Sequence, residues 1–189
     1  MAIKLLITDF DGTLVDTFEA NYGAYREAFE GLGLTLTLER YRDCFGLRFD
    51  NFMSAMGISD EDVKNAIRGR KGDCYPDYFN RLKVNTPLLE IIRAFRRSGG
   101  KTAVASTARE HNLHNALRHI GAENDFDLIL AGESVSHGKP DPEIYLKVLK
   151  YFGVEPSDAL VFEDSEVGFR AAEAAGTRYI IINKEFYGN

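Results

Sequence analysis

The amino-acid sequence predicts an α/β fold: a doubly wound, mostly parallel five-stranded sheet carrying a small inserted all-helical segment. Three observations predict it. A short apolar run near the start ends in two aspartates. Residues 17–84 then show helical periodicity broken by glycines, and after Gly100 strand and helix patterns alternate. Such alternation implies right-handed crossovers and a parallel sheet covered on both faces.

The first strand is read from Ile3, Leu5, Leu6 and Ile7, an apolar run ended by Asp9-Phe10-Asp11-Gly12-Thr13-Leu14-Val15-Asp16-Thr17. Ligands of open α/β sheets bind beyond the C-terminal strand ends, so the two carboxylates stand at the expected mouth of a site. Taken alone, they also fit a solvated acidic turn with Gly12 at positive φ. Phe18, Tyr22, Tyr25, Phe29 and Leu32 recur at helical spacing, with Gly33 as the expected stop. Between Leu36 and Leu82 come short helical segments broken by Gly46, Gly57, Gly69 and Gly72, with Tyr75, Tyr78, Phe79 and Leu82 on one face.

Thr86-Pro87 reads as an N-cap and first helical position, opening a helix that ends at Gly99-Gly100. Strands follow at Thr102 to Ala105, Leu128 to Ala131, Ala159 to Phe162 and Tyr179 to Ile182. Helices are expected between them at His111 to Ile120, Pro142 to Phe152 and Glu166 to Ala175. The expected division is 1–16 and 85–189 for the sheet-containing core and 17–84 for the helical insert.

With 189 residues, 44% of them hydrophobic, the chain can bury a full core. A net charge of -6 and the lack of any Lys/Arg run argue against nucleic-acid binding. No stretch approaches the ~18 apolar residues of a membrane span, and the opening residues lack the pattern of a secretory leader; the expectation is a cytoplasmic protein. Cys44 and Cys74 suggest free thiols rather than a disulfide or a zinc site. His111, His114, His119 and His137 form no metal-binding spacing.

Three later strand ends also carry polar groups. Ala103-Val104-Ala105 runs into Ser106-Thr107, whose hydroxyls and following amides can hold phosphate oxygens, although a serine there also serves as an N-cap. Gly138-Lys139-Pro140-Asp141-Pro142 holds a lysine in a stiff turn before a helix. Leu160-Val161-Phe162 ends in Glu163-Asp164-Ser165, acids that fit a helix start or could converge with Asp9 and Asp11. Converging carboxylates repel, and an all-oxygen donor set favours a hard divalent cation, Mg²⁺ by default.

The Asp9-Phe10-Asp11-Gly12-Thr13 run, Ser106, Lys139 in its proline turn and Glu163-Asp164-Ser165 with Gly168 resemble, in order and spacing, the four motifs of the haloacid dehalogenase-like phosphohydrolase superfamily. The resemblance covers essentially the whole chain and implies a Rossmann-like core with 17–84 as a small helical cap. It implies that Asp9 is a nucleophile forming an aspartyl-phosphate and Asp11 the general acid and base. It further implies that Ser106 and Lys139 bind phosphoryl oxygens, and that Mg²⁺ is held by Asp9, the Asp11 carbonyl and Asp164, with Glu163 a direct or indirect ligand. Thr107, Arg109 and, in the cap, Arg48 are candidate substrate-binding residues. Tyr22, Phe45, Phe49 and Phe52 line a pocket or form the core of the short helical unit.

The implied activity is a Mg²⁺-dependent phosphomonoesterase for a small phosphorylated metabolite, with no nucleic-acid or membrane partner, as a monomer or weak homodimer. Dehalogenation does not call for Asp11, and phosphonate hydrolysis needs a cap lysine where Arg48 stands. A sugar-phosphate mutase of the β-phosphoglucomutase type is the main alternative. Against it, Asn21 stands where those enzymes carry a histidine, and Ala108 and Glu110 replace their phosphate-contacting residues. A non-catalytic binding protein is the second alternative, disfavoured by the presence of Asp9.

Overall fold

The computed structural model describes residues 2–183 and Tyr187. The chain divides into two compact units, one formed by Met1–Asp16 with Lys83–Asn189 and the other by Thr17–Leu82. The first unit opens with β1 (Leu5–Thr8) and a two-residue strand β2 (Val15–Asp16). The helical unit follows, with α1 (Phe18–Glu30), α2 (Leu38–Cys44), α3 (Phe49–Ala55), α4 (Glu61–Cys74) and a 3₁₀ turn at Tyr75–Arg81. The chain returns through β3 (Lys83–Val84) and α5 (Thr86–Arg97), then β4 (Lys101–Ala105), α6 (Glu110–His119), β5 (Leu128–Leu130), α7 (Glu143–Phe152), β6 (Ala159–Glu163), α8 (Glu166–Ala174) and β7 (Arg178–Ile181).

Five strands form one sheet in the order β5-β4-β1-β6-β7, and every pairing in it is parallel. The chain winds outward from β1 to β4 and β5, then crosses back to β6 and β7. This reversal makes the C-terminal end of β1 the switch point at which such sheets bind ligands. β1 is buried along its whole length, as expected of a central strand covered on both faces. Leu5, Ile7, Ala103, Ala105, Ala159 and Val161 pack with Ile144, Tyr145, Val148 and Leu149 of α7 and with Ala171, Ala172 and Ala175.

Sequence and structure differ at several boundaries. Lys83–Val84 pair antiparallel with Val15–Asp16, so they belong to the first unit, and the expected break at 84/85 moves to 82/83. Two-residue strands are too short for any alternation to reveal. The α5 cap is Asn85 rather than Thr86: its side chain accepts from Leu88 N at 3.2 Å and donates to the Thr13 carbonyl at 3.2 Å. The stop of α1, by contrast, is the expected one: the helix ends at Glu30, and Gly33 at φ +71° donates its amide to the Glu30 carbonyl at 3.0 Å while the Leu34 amide donates to that of Phe29 at 2.9 Å.

The helical unit has an aromatic core. Tyr41 and Phe52 lie 5.8 Å apart edge to face, and Tyr25 meets Phe52 in the same way at 5.1 Å. Phe52 is buried, and Tyr22, Phe45 and Phe49 pack against the same cluster, which is the core role considered for all four. Both cysteines are free thiols. Among the described residues, no helix is long and apolar enough to cross a membrane.

Candidate active site

Sheet register determines which side chains meet. Thr8 stands opposite Val104 on one side and Phe162 on the other. The next residue on each strand therefore brings Asp9, Ala105 and Glu163 level at the C-terminal edge. One ammonium joins all three strand ends. Lys139 Nζ donates to Asp9 Oδ1 at 2.6 Å, to the Ala105 carbonyl at 3.0 Å and to Glu163 Oε1. Lys139 is only 7% exposed, so it is a structural cation rather than a solvated one.

Each carboxylate is held differently. Asp9 ends β1 and is 6% exposed. Glu163 is fully buried and has both oxygens engaged. Its Oε1 accepts from Lys139 and, at 2.7 Å, from the Tyr145 hydroxyl; Oε2 accepts from Ser165 Oγ at 3.1 Å and from the Asp164 amide at 3.2 Å. Asp164 Oδ1 accepts from Thr13 Oγ1 at 3.1 Å. Asp11 is half-buried, with its backbone bridged to Val15.

Two glycines permit these approaches. Gly12 has φ +91°, and a Cβ there would lie 2.1 Å from Asp164 Oδ2, so both conformation and space require glycine. A Cβ at Gly168 would strike the Glu163 carboxyl at about 2 Å. Ser165 caps α8 by accepting from the Gly168 amide at 3.1 Å, which is the cap role considered for the acids beside it.

Electrostatics follow from burial. Burial pushes the Asp9 carboxyl up; Lys139 opposes this, and Glu163 and Asp164 add to it. Asp164 is raised to about 6 by burial and then by Glu163. Burial also works against the Lys139 charge, but Asp9, Tyr145 and Glu163 outweigh it and hold the ammonium well above its ordinary range.

Asp9, Glu163 and Asp164 each offer an oxygen within 4.8 Å of the others. Three carboxylates against one ammonium leave two negative charges, which suits a divalent cation with hard oxygen ligands. The Tyr187 phenol oxygen is also buried, with no hydrogen-bond partner among the described residues. Burial, followed by the charges of Asp164, Asp16, Asp9 and Asp11, pushes its ionisation up, so it remains a neutral hydroxyl available to a polar ligand. The Asp9 and Asp164 carboxylates therefore fit a divalent cation with hard oxygen ligands. Glu163, with both oxygens committed, fits the role of holding Lys139.

The other predicted residues separate. Ser106 is fully buried at the end of β4, and its oxygen accepts from the Ala108 amide at 3.0 Å, leaving its proton to donate. Thr107 is exposed beside it. Arg109 is drawn to Glu133, Nε to Oε1 at 3.5 Å, and the same carboxylate accepts from the Glu110 amide at 2.9 Å. Arg48 belongs to the helical unit, as the exposed residue before α3. Tyr145 and Tyr187 received no expectation from sequence. Tyr145 reads as one more apolar position of α7, and no motif precedes Tyr187.

Residues 6–182 match the family model described as haloacid dehalogenase-like hydrolase. A phosphorylated carbohydrates phosphatase of Thermotoga maritima is 33% identical over 94% of this chain and 84% of its own length. Escherichia coli fructose-1-phosphate phosphatase YqaB is 29% identical over 90% of this chain and 92% of its own. The crystal structure of CbbY from Rhodobacter sphaeroides in complex with phosphate superposes with a TM-score of 0.86 at 28% identity, covering 98% of this chain and 88% of that one.

Proposed function

The chain belongs to the haloacid dehalogenase-like hydrolase family and is a phosphatase within it; we propose that it hydrolyses a small phosphorylated metabolite, a sugar phosphate first among them, with Mg²⁺ and through an aspartyl-phosphate on Asp9. One observation carries this reading: the buried ammonium of Lys139 that ties Asp9 to Glu163, with Asp164 within ligand reach.

Asp9 and Asp164, with the Asp11 carbonyl, would hold Mg²⁺, which when bound supplies positive charge to the phosphoryl oxygens. Lys139 orients the attacking carboxylate and opposes the upward push of burial on it, since it sits 2.6 Å from Oδ1. The other oxygen of Asp9 forms the bond to phosphorus while the ester oxygen leaves, taking a proton from Asp11. Asp11 then accepts a proton from water as that water attacks phosphorus; the acyl-phosphate bond breaks, releasing phosphate and restoring Asp9. The Ser106 hydroxyl, its oxygen already engaged by the Ala108 amide, has its proton to give to a phosphoryl oxygen.

Glu133 favours hydrolysis over the mutase alternative. A mutase must grip a second phosphate, yet at the start of α6 the Glu133 carboxylate already takes the Glu110 amide and Arg109. That end of the helix repels a further anion.

The test is phosphate release from sugar phosphates, nucleotides, phosphoglycolate and an aryl phosphate, with and without Mg²⁺. Mg²⁺-dependent release with sugar phosphates preferred is expected. Folded protein that releases nothing from the whole panel contradicts the reading, and isomerisation of a hexose 1-phosphate primed by a bisphosphate would replace it with the mutase.

A further inference from the structure

Tyr145 lies on the buried face of α7 with Ile144, Val148 and Leu149, where a phenylalanine would fill the same space. Its hydroxyl has been taken fully out of water, which costs free energy unless a partner is found. The partner is Glu163 Oε1 at 2.7 Å, the same oxygen that accepts from Lys139. Lys139 Nζ also lies 5.2 Å from the centre of the Tyr145 ring, so one side chain contacts both members of the ion pair.

Lys139 is shared between two buried carboxylates, and only Asp9 lies on the reaction path. Every donor that satisfies Glu163 weakens its competing pull on the ammonium. Three of the donors to Glu163 come from the loop that follows it, the Asp164 amide, the Ser165 amide and Ser165 Oγ, and a fourth is Lys139 from the turn before α7. Tyr145 is the neutral donor that shares Oε1 with the lysine, and it comes from a rigid helix rather than the loop after β6. We propose that Tyr145 is a positioning residue: its hydroxyl fixes Glu163 and offsets part of its charge, so that Lys139 is held against Asp9.

The kinetic part of the test rests on the phosphatase reading; the second part does not. Tyr145→Phe removes one oxygen and keeps the ring. It is expected to lower kcat about tenfold, the worth of one hydrogen bond to a charged group, with KM changed less than twofold. Added to Glu163→Gln, it is expected to cost nothing further, because the two act as one unit. A packing role would instead leave kcat unchanged or multiply independently with Glu163→Gln, and either result overturns the proposal. Glu163→Asp, which withdraws the same carboxylate while keeping the hydroxyl, is expected to reproduce the kcat defect; activity equal to wild type would count against it.

If the wild-type protein releases no phosphate, the phosphatase reading fails and the ¹⁵N-resolved ammonium signal of Lys139 decides this inference. A signal shifted and broadened by Tyr145→Phe supports it. A signal unchanged in frequency and width overturns it.

Discussion

The two units bury their residues by opposite means. The first packs alanines and aliphatic side chains between sheet and helices, and places three charged residues, Asp9, Lys139 and Glu163, inside as one hydrogen-bonded cluster. The helical unit packs aromatic rings against one another, with one buried lysine, Lys71, over the faces of Tyr25 and Tyr75. A wide sheet can fix a cluster of ionised groups because strand register holds their backbones. A short bundle has no such frame and draws its core from a few large rings. In the first unit the placement of these buried charges is therefore a property of the fold, whereas in the second, Lys71 apart, charge belongs to individual surface residues.

That contrast is sharpest at Lys139. Lys139→Ala leaves Asp9 and Glu163 buried without their cation, so it is expected to cost about 3–5 kcal/mol of stability. It is also expected to lower kcat by about 10²–10³-fold. Denaturant unfolding and steady-state kinetics check the two effects; stability within 1 kcal/mol of wild type would contradict the structural half.

Phe52→Ala tests the other unit. Phe52 is 3% exposed and meets Tyr25, Phe29 and Tyr41, so its loss is expected to cost about 3–5 kcal/mol. Hydrogen exchange should locate the loss of protection in residues 17–82. Loss spread evenly through both units would break the comparison.

Arg48→Ala is expected to act on substrate choice and not on chemistry. The prediction is a change in KM of up to about tenfold that differs among sugar phosphates, with kcat nearly constant. An equal effect on every substrate would remove Arg48 from recognition.

The smallest effect concerns the turn that carries Lys139. Glu143 is lowered to about 2 by Lys147 and then by the His137 and Ser136 amides. A lowered carboxylate stabilises the fold above its ordinary pKa and loses that contribution as pH falls through its folded value. Wild type is therefore expected to exceed Glu143→Gln in stability near pH 7, with the difference closing between pH 4.5 and about 2. Parallel stability curves across that window would contradict the assignment.

Sequence made the first unit legible because its chemistry is local. Apolar runs ending in acids give both strand and site, and Asp9, Lys139, Glu163 and Asp164 do converge. It concealed what depends on three dimensions. Tyr145 has the spacing of a core residue, and only the folded register shows its hydroxyl against Glu163. Val15–Asp16 and Lys83–Val84 pair across an intervening unit, which periodicity cannot reveal. The committed oxygens of Glu163, likewise, are a count of partners that no motif contains.

The central claim is that Asp9 carries the phosphoryl group. Its most direct test is acid quenching of the enzyme during turnover of a sugar phosphate with Mg²⁺, followed by peptide mass mapping. The account predicts a phosphorylated Asp9 that disappears in Asp9→Asn, together with a fall in kcat of about 10⁴-fold or more. A phosphoryl group on another residue, or Asp9→Asn turning over at near the wild-type rate, would contradict it.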